Sequence, residues 1–170
     1  MAKRYISPLV SNRVRLRLLE EADLPMTLTW RNQDHIRQWF VHSAVLTWEQ
    51  HHTWCQQYFQ HDNDFIFIIE DHQEPHRPVG QISLYNIAWG RQRAEYGRLM
   101  IGEASAAGKG FAKEATRLLL DHAFGPFGLA EVYLEVFAQN APAIAIYRGC
   151  GFREVAEQNG LKQMIMRAAG

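Results

Sequence analysis

The sequence predicts a mixed α/β fold: one domain over residues 1–170, its core about 13–168, with six to seven strands and helices on both faces. Two observations carry that prediction. Segments with a two-residue apolar period interleave with segments of helical period along the whole chain. Three consecutive strand patterns in the middle are joined only by short turns, which makes a hairpin meander within a larger layered sheet.

The elements follow in order. Val14, Leu16 and Leu18 alternate with arginines in "RVRLRLL", the mark of a half-buried strand. "EEADLPMTLTWRNQDHIRQWF" reads as one or two short helices, with Pro25 early enough for a first turn. Thr47 and Gln50 make a capping-box pattern ahead of a helix through "WEQHHTWCQQYFQ". "DFIFIIED", "VGQISLYNI" and "RAEYGRLMIG" are the three meander strands. "SAAGKGFAKEA" then opens a helix whose Ala112, Ala115, Leu119 and Ala123 share one face, and "GPFGL" ends it. "AEVYLEVF" is a strand. In "NAPAIAIYRGCGF", Asn140 is an N-cap, Pro142 sits near the first turn and Gly151 stops the helix. "FREVAE" and "LKQMIMRA" are the closing strands.

Composition narrows the partners. Lysine plus arginine and aspartate plus glutamate both total 18, so the chain lacks the basic excess of a nucleic-acid binder. Apolar residues make up 47% and charged residues 21%, a soluble globular balance, and no apolar run has membrane-spanning length. No secretion signal is read at the N-terminus, and Cys55 and Cys150 form no paired motif, so reduced thiols in the cytoplasm are expected. There are eight histidines, but His51 and Cys55 find no third ligand at diagnostic spacing; no metal is expected. A homodimer is left open.

The glycine stretch raises three phosphate-loop readings. A Walker loop fails, because Lys109 lies between glycines and no Ser or Thr follows. A dinucleotide fingerprint fails at its third glycine, where Lys113 stands. The third has the order strand, glycine loop, helix, strand, then Asn140, Ala143, Tyr147, Gly151 and Phe152. This order resembles the GCN5-related N-acetyltransferase (GNAT) superfamily over roughly Val14 to Arg167. Gly108 and Gly110 match its loop glycines, while Ser105 departs from the family's Gln or Arg. Unpaired N–H groups at a helix start suit an anion, and glycine lets the backbone approach it. A plain chain reversal is the competing reading of the loop.

The resemblance implies acetyl-CoA as acyl donor. It places Ala107, Gly108, Lys109, Gly110, Phe111 and Ala112 on the pyrophosphate, and Leu99, Met100 and Ile101 along the thioester and pantetheine arm. Asn140 would hold that arm, and Tyr147 would be the general acid for the thiolate. Glu95, on the strand leading to the site, is the candidate base or ammonium partner. For the acceptor, "WRNQDHIRQWF" and the Glu49–His51 pair resemble acetyltransferases of nucleotide-linked 4-amino sugars. That makes Trp30, Arg31, Asn32, Trp39 and Phe40 substrate-binding candidates. Similar wording occurs in aminoglycoside N-acetyltransferases, and "RAEYG" resembles ribosomal-protein N-terminal and polyamine acetyltransferases. With few acids in the acceptor helices, an amino sugar is the expected small-molecule amine. The reading of another class is a non-catalytic acyl-CoA sensor.

Overall fold

The computed structural model describes residues 2–169. Eight strands form one sheet: β1 (Leu9–Val10), β2 (Val14–Leu18), β3 (Phe65–Asp71), β4 (Arg77–Ala88), β5 (Arg93–Ile101), β6 (Glu131–Phe137), β7 (Arg153–Gln158) and β8 (Leu161–Arg167). Their spatial order is β1-β2-β3-β4-β5-β6-β8-β7. Every neighbouring pair is antiparallel except β5 and β6. The strand beyond the expected seven is β1, whose two residues pair with Arg15 and Leu16; it is too short to show a period in sequence.

Five helices cover the sheet: α1 (Leu24–Arg31), α2 (Asp34–Arg37), α3 (Trp48–Tyr58), α4 (Phe111–Phe124) and α5 (Ala141–Cys150). The main core lies on one face, which we call the back. There Phe65, Phe67, Ile82, Leu84, Tyr96 and Val132 meet Phe111, Ala115 and Leu119 of α4 and Ile144 and Tyr147 of α5. Strand alternation sends Ile66 and Ile68 to the opposite, front face, where they pack with Leu24 of α1 and Cys55 and Tyr58 of α3. Phe111, rather than Ala112, begins the buried stripe of α4, and Ala112 is only half-buried.

Local chemistry sets the helix ends as the residue pattern predicts. Thr47 and Gln50 form a reciprocal capping box on α3. Asn140 accepts from the Ala143 N–H and Gly151 closes α5 with φ +113°. The Glu20–Phe40 segment divides into a short turn, α1 with Pro25 in its first turn, and α2.

Helix α1 is locked to the end of β5. The Trp30 indole is buried over Gly102, and its Nε1–H donates to Glu103 Oε1 at 3.0 Å. A Cβ on Gly102 would stand 2.1 Å from the indole, far inside contact distance. We therefore expect Gly102→Ala to lower stability by about 2 kcal/mol, the usual scale of core overpacking, measured as a fall in the urea midpoint at unchanged slope.

Candidate active site

The site begins where two strands part. β5 and β6 run parallel and pair through Arg93–Glu131, Ala94–Val132 and Glu95–Tyr133, and no further. Beyond Glu95, β5 keeps pairing with β4, while β6 continues along β8. A gap in the sheet opens between them.

A β-bulge lies on β5 inside this gap. Gln81 faces Met100 and Ser83 faces Gly97, so β5 has one residue more than β4 across the same step. Arg98 takes φ +54°, a conformation that is costly without glycine. Its guanidinium is tied to both carboxylate oxygens of Asp64, at 2.7 and 3.1 Å. It also lies 4.0 Å from the Tyr85 ring centre and 4.8 Å from that of Trp54. These contacts hold the bulge.

After the bulge, register decides which amides are free. The Gly102 N–H donates to Val79 at 2.8 Å, and the ladder then runs through Gln81 and Met100. Antiparallel alternation turns the Met100 N–H toward β4 and those of Leu99 and Ile101 toward the gap. Of the three expected cofactor-facing residues, Met100 is thus spent on the sheet, and its side chain is buried with Trp30 and Ile36. Leu99 and Ile101 pack their side chains on the main core and leave their amides to the gap.

The glycine loop follows. Ala107, Gly108, Lys109 and Gly110 are exposed, with positive φ at Gly108 (+72°) and Gly110 (+85°). Phe111 plunges into the core and anchors the helix start. α4 has no side-chain cap, in contrast to α3 and α5. Its first intrahelical bond is Glu114 N–H to Gly110, so the N–H groups of Phe111, Ala112 and Lys113 point outward at the positive end of the helix. Such a start fits a pyrophosphate, and the gap beside it fits an extended pantetheine arm taking backbone hydrogen bonds.

The titratable candidates flank the fork from opposite faces. Glu95 and Tyr96 are consecutive strand residues and so point to opposite sides. Tyr96 is buried at the back, where its ring meets Tyr147 edge-on at 5.4 Å. Burial pushes the Tyr147 phenol far above its ordinary value. Among the described residues nothing hydrogen-bonds to that hydroxyl. Glu95 stands on the front. It accepts from the Tyr85 hydroxyl at 2.9 Å and from Asn86 Nδ2 at 3.0 Å. Both donors are neutral.

The family model for the acetyltransferase (GNAT) domain matches residues 13–153. The chain belongs to the GNAT acetyltransferase family. It is an acetyl-CoA-dependent N-acetyltransferase, as members of this family are. A spermidine N(1)-acetyltransferase of Vibrio cholerae is 26% identical over 145 residues, covering 85% of this chain and 82% of that protein. An N-acetyltransferase 9-like protein of Caenorhabditis briggsae is 25% identical over 150 residues, covering 83% and 75%. The crystal structure of the Vibrio cholerae spermidine N-acetyltransferase with CoA and spermine has a TM-score of 0.82 at 24% identity, over 92% of this chain and 96% of that one, and shows the same GNAT fold.

The acceptor candidates of this GNAT chain are only partly brought to the gap. Trp30 is committed to Gly102 and Glu103. Arg31 is buried, donates to the His42 carbonyl and lies 4.2 Å from the Phe40 ring centre. Asn32 clamps Leu46 with both its side-chain groups, at 2.9 Å each. Trp30 and Asn32 build the scaffold of the α1–α3 region instead of offering free groups to a ligand, whereas Arg31, stacked on Phe40, keeps its buried Nη1 without a hydrogen-bond partner among the described residues. Trp39 alone reaches across: it is partly exposed and its ring centre is 6.4 Å from that of Phe137, at the far end of β6. The pattern reading missed Tyr85, Asn86, Tyr96, Arg98 and Phe137, which enter through cross-strand register and the bulge.

Gly110 has a φ that L side chains resist by roughly 1–2 kcal/mol. For Gly110→Val we expect acetyl-CoA affinity, read by calorimetry, to fall about tenfold.

Proposed function

We propose that the chain acetylates a primary amine of a small polycation of the polyamine class, with Tyr147 as general acid and Glu95 as the partner of the incoming ammonium. The observation that carries this reading is the unneutralised Glu95 carboxylate at the fork, on the face opposite Tyr147. Its strand neighbourhood adds to it. Tyr133 and Glu135 share the front face with Glu95, and neither Glu95 nor Glu135 is in an ion pair among the described residues. Glu131 differs, being held by Arg93 at 2.6 Å and Arg167 at 3.2 Å. The acids that a polycation needs come from strands, not from the acceptor helices. The similarity to spermidine acetyltransferases of Vibrio cholerae and Escherichia coli supports the same class. An amino sugar has the weaker support, because Trp30 and Asn32 are committed to Glu103 and Leu46.

Bound acetyl-CoA supplies a thioester for the uncharged amine to attack. Each protein group then has one task. The α4 start and Lys109 hold the pyrophosphate. The Leu99 and Ile101 amides hold the arm and receive the developing oxyanion charge. Asn140, whose side-chain oxygen caps α5, keeps its amide nitrogen for the arm. Glu95 draws the ammonium to the front of the gap and orients it, and its proton leaves to water or to that carboxylate. Tyr147 delivers a proton to the departing thiolate from the back.

The pH dependence follows in sign. The raised phenol stays protonated through the range where the amine loses its proton. kcat/KM should therefore climb with pH and show no fall below about pH 10, the ordinary phenol value. Tyr147→Phe should lower kcat about a hundredfold with CoA affinity unchanged; full turnover would remove the acid. In a thiol-release assay against spermidine, glucosamine and a short peptide N-terminus, spermidine should lead in kcat/KM by tenfold or more, on the order of one charged contact. Glu95→Gln should erase that lead. Preference for glucosamine would restore the amino-sugar reading.

A further inference from the structure

We propose that Arg13 is a phosphate-contacting residue of the CoA site, supplying from outside the loop a long cationic side chain where the loop itself has only the short Ser105. Arg13 lies just before β2, nearly a hundred residues from the loop in sequence, yet its guanidinium sits on it. Nη2 donates to the Lys109 carbonyl at 2.6 Å. Nη1 is 3.4 Å from where a Cβ of Gly110 would be. The group also rests 4.8 Å from the Phe111 ring centre, which fixes its plane.

Charge makes this arrangement informative. A guanidinium beside an uncapped helix N-terminus meets the positive end of the dipole, which is unfavourable without an anion. Lys109 adds a second positive charge to the same turn. The nearby acid does not cancel Arg13: Glu114 is turned to the Arg13 backbone N–H at 2.8 Å and the Ser11 hydroxyl at 2.6 Å. Among the described residues, the Arg13 guanidinium is in no ion pair. Arg77, the other arginine at the loop, is different. It donates to Ser105 Oγ at 3.0 Å, but Glu74 at 3.2 Å and Asp71 at 3.8 Å share its charge. Of these two arginines among the described residues, Arg13 is the one with unspent charge, planar and pre-placed for a phosphate oxygen. CoA offers two sources of that chemistry, its pyrophosphate and its 3′-phosphate.

The test is calorimetric titration of the full chain with CoA and with 3′-dephospho-CoA, at several salt concentrations, for wild type, Arg13→Gln and Arg13→Lys. Arg13→Gln should weaken CoA about tenfold and flatten the salt dependence of the affinity, and Arg13→Lys should recover part of both. If Arg13→Gln weakens both ligands equally, the contact is to the pyrophosphate. If it abolishes the difference between them, the contact is to the 3′-phosphate. Unchanged CoA affinity overturns the proposal. So does a loss with an unchanged salt slope, which would make Arg13 only a brace for the Lys109 carbonyl. The readout is cofactor binding and does not depend on which amine is acetylated.

Discussion

Everything in this site depends on two parallel strands ceasing to share hydrogen bonds. β5 and β6 separate after Glu95 and Tyr133 because each has a better partner elsewhere: β5 stays with β4 through Ile101, and β6 stays with β8 through Phe137. A gap inside a sheet leaves strand amides unpaired, which is costly when they are shielded from water. The same amides are the donors that an extended ligand can take as a substitute strand. The bulge at Arg98 sets which ones they are, and the Asp64–Arg98 pair, flanked by Tyr85 and Trp54, keeps that strained residue in place.

Alternation along β5 then divides labour between the two faces. Tyr96 goes to the back and seats the Tyr147 ring; Glu95 goes to the front and meets Tyr85 and Asn86. The proton donor and the ammonium partner that we propose thereby stand on opposite sides of one gap, separated by the backbone of a single strand. Their environments also diverge. Tyr147 is surrounded by Tyr96 and Phe152, so burial keeps it protonated. Glu95 is held by neutral hydrogen-bond donors and by no cation among the described residues.

Legibility in the sequence followed the range of the interaction. Features set by near neighbours were readable: the Thr47–Gln50 box, the Asn140 cap, the Gly108–Gly110 loop and the seven longer strands. Tyr85 and Asn86 were not, because their pairing with Glu95 requires the β4–β5 register on both sides of a bulge. The Trp30–Arg31–Asn32 run misled for a physical reason. Aromatic, guanidinium and amide groups suit a ligand and also suit a loop that must pair its own backbone and carboxylate oxygens, and composition alone does not separate the two uses. Here they serve Glu103, His42 and Leu46.

We propose that the gap receives the cofactor arm as an added strand on β5. Residue-resolved amide hydrogen exchange with and without saturating CoA tests it most directly. Protection should rise at Leu99 and Ile101, whose N–H groups face the gap, and change little at Met100, already bonded to β4. If CoA binds while Leu99 and Ile101 exchange at their free rates, the gap is not where the arm lies.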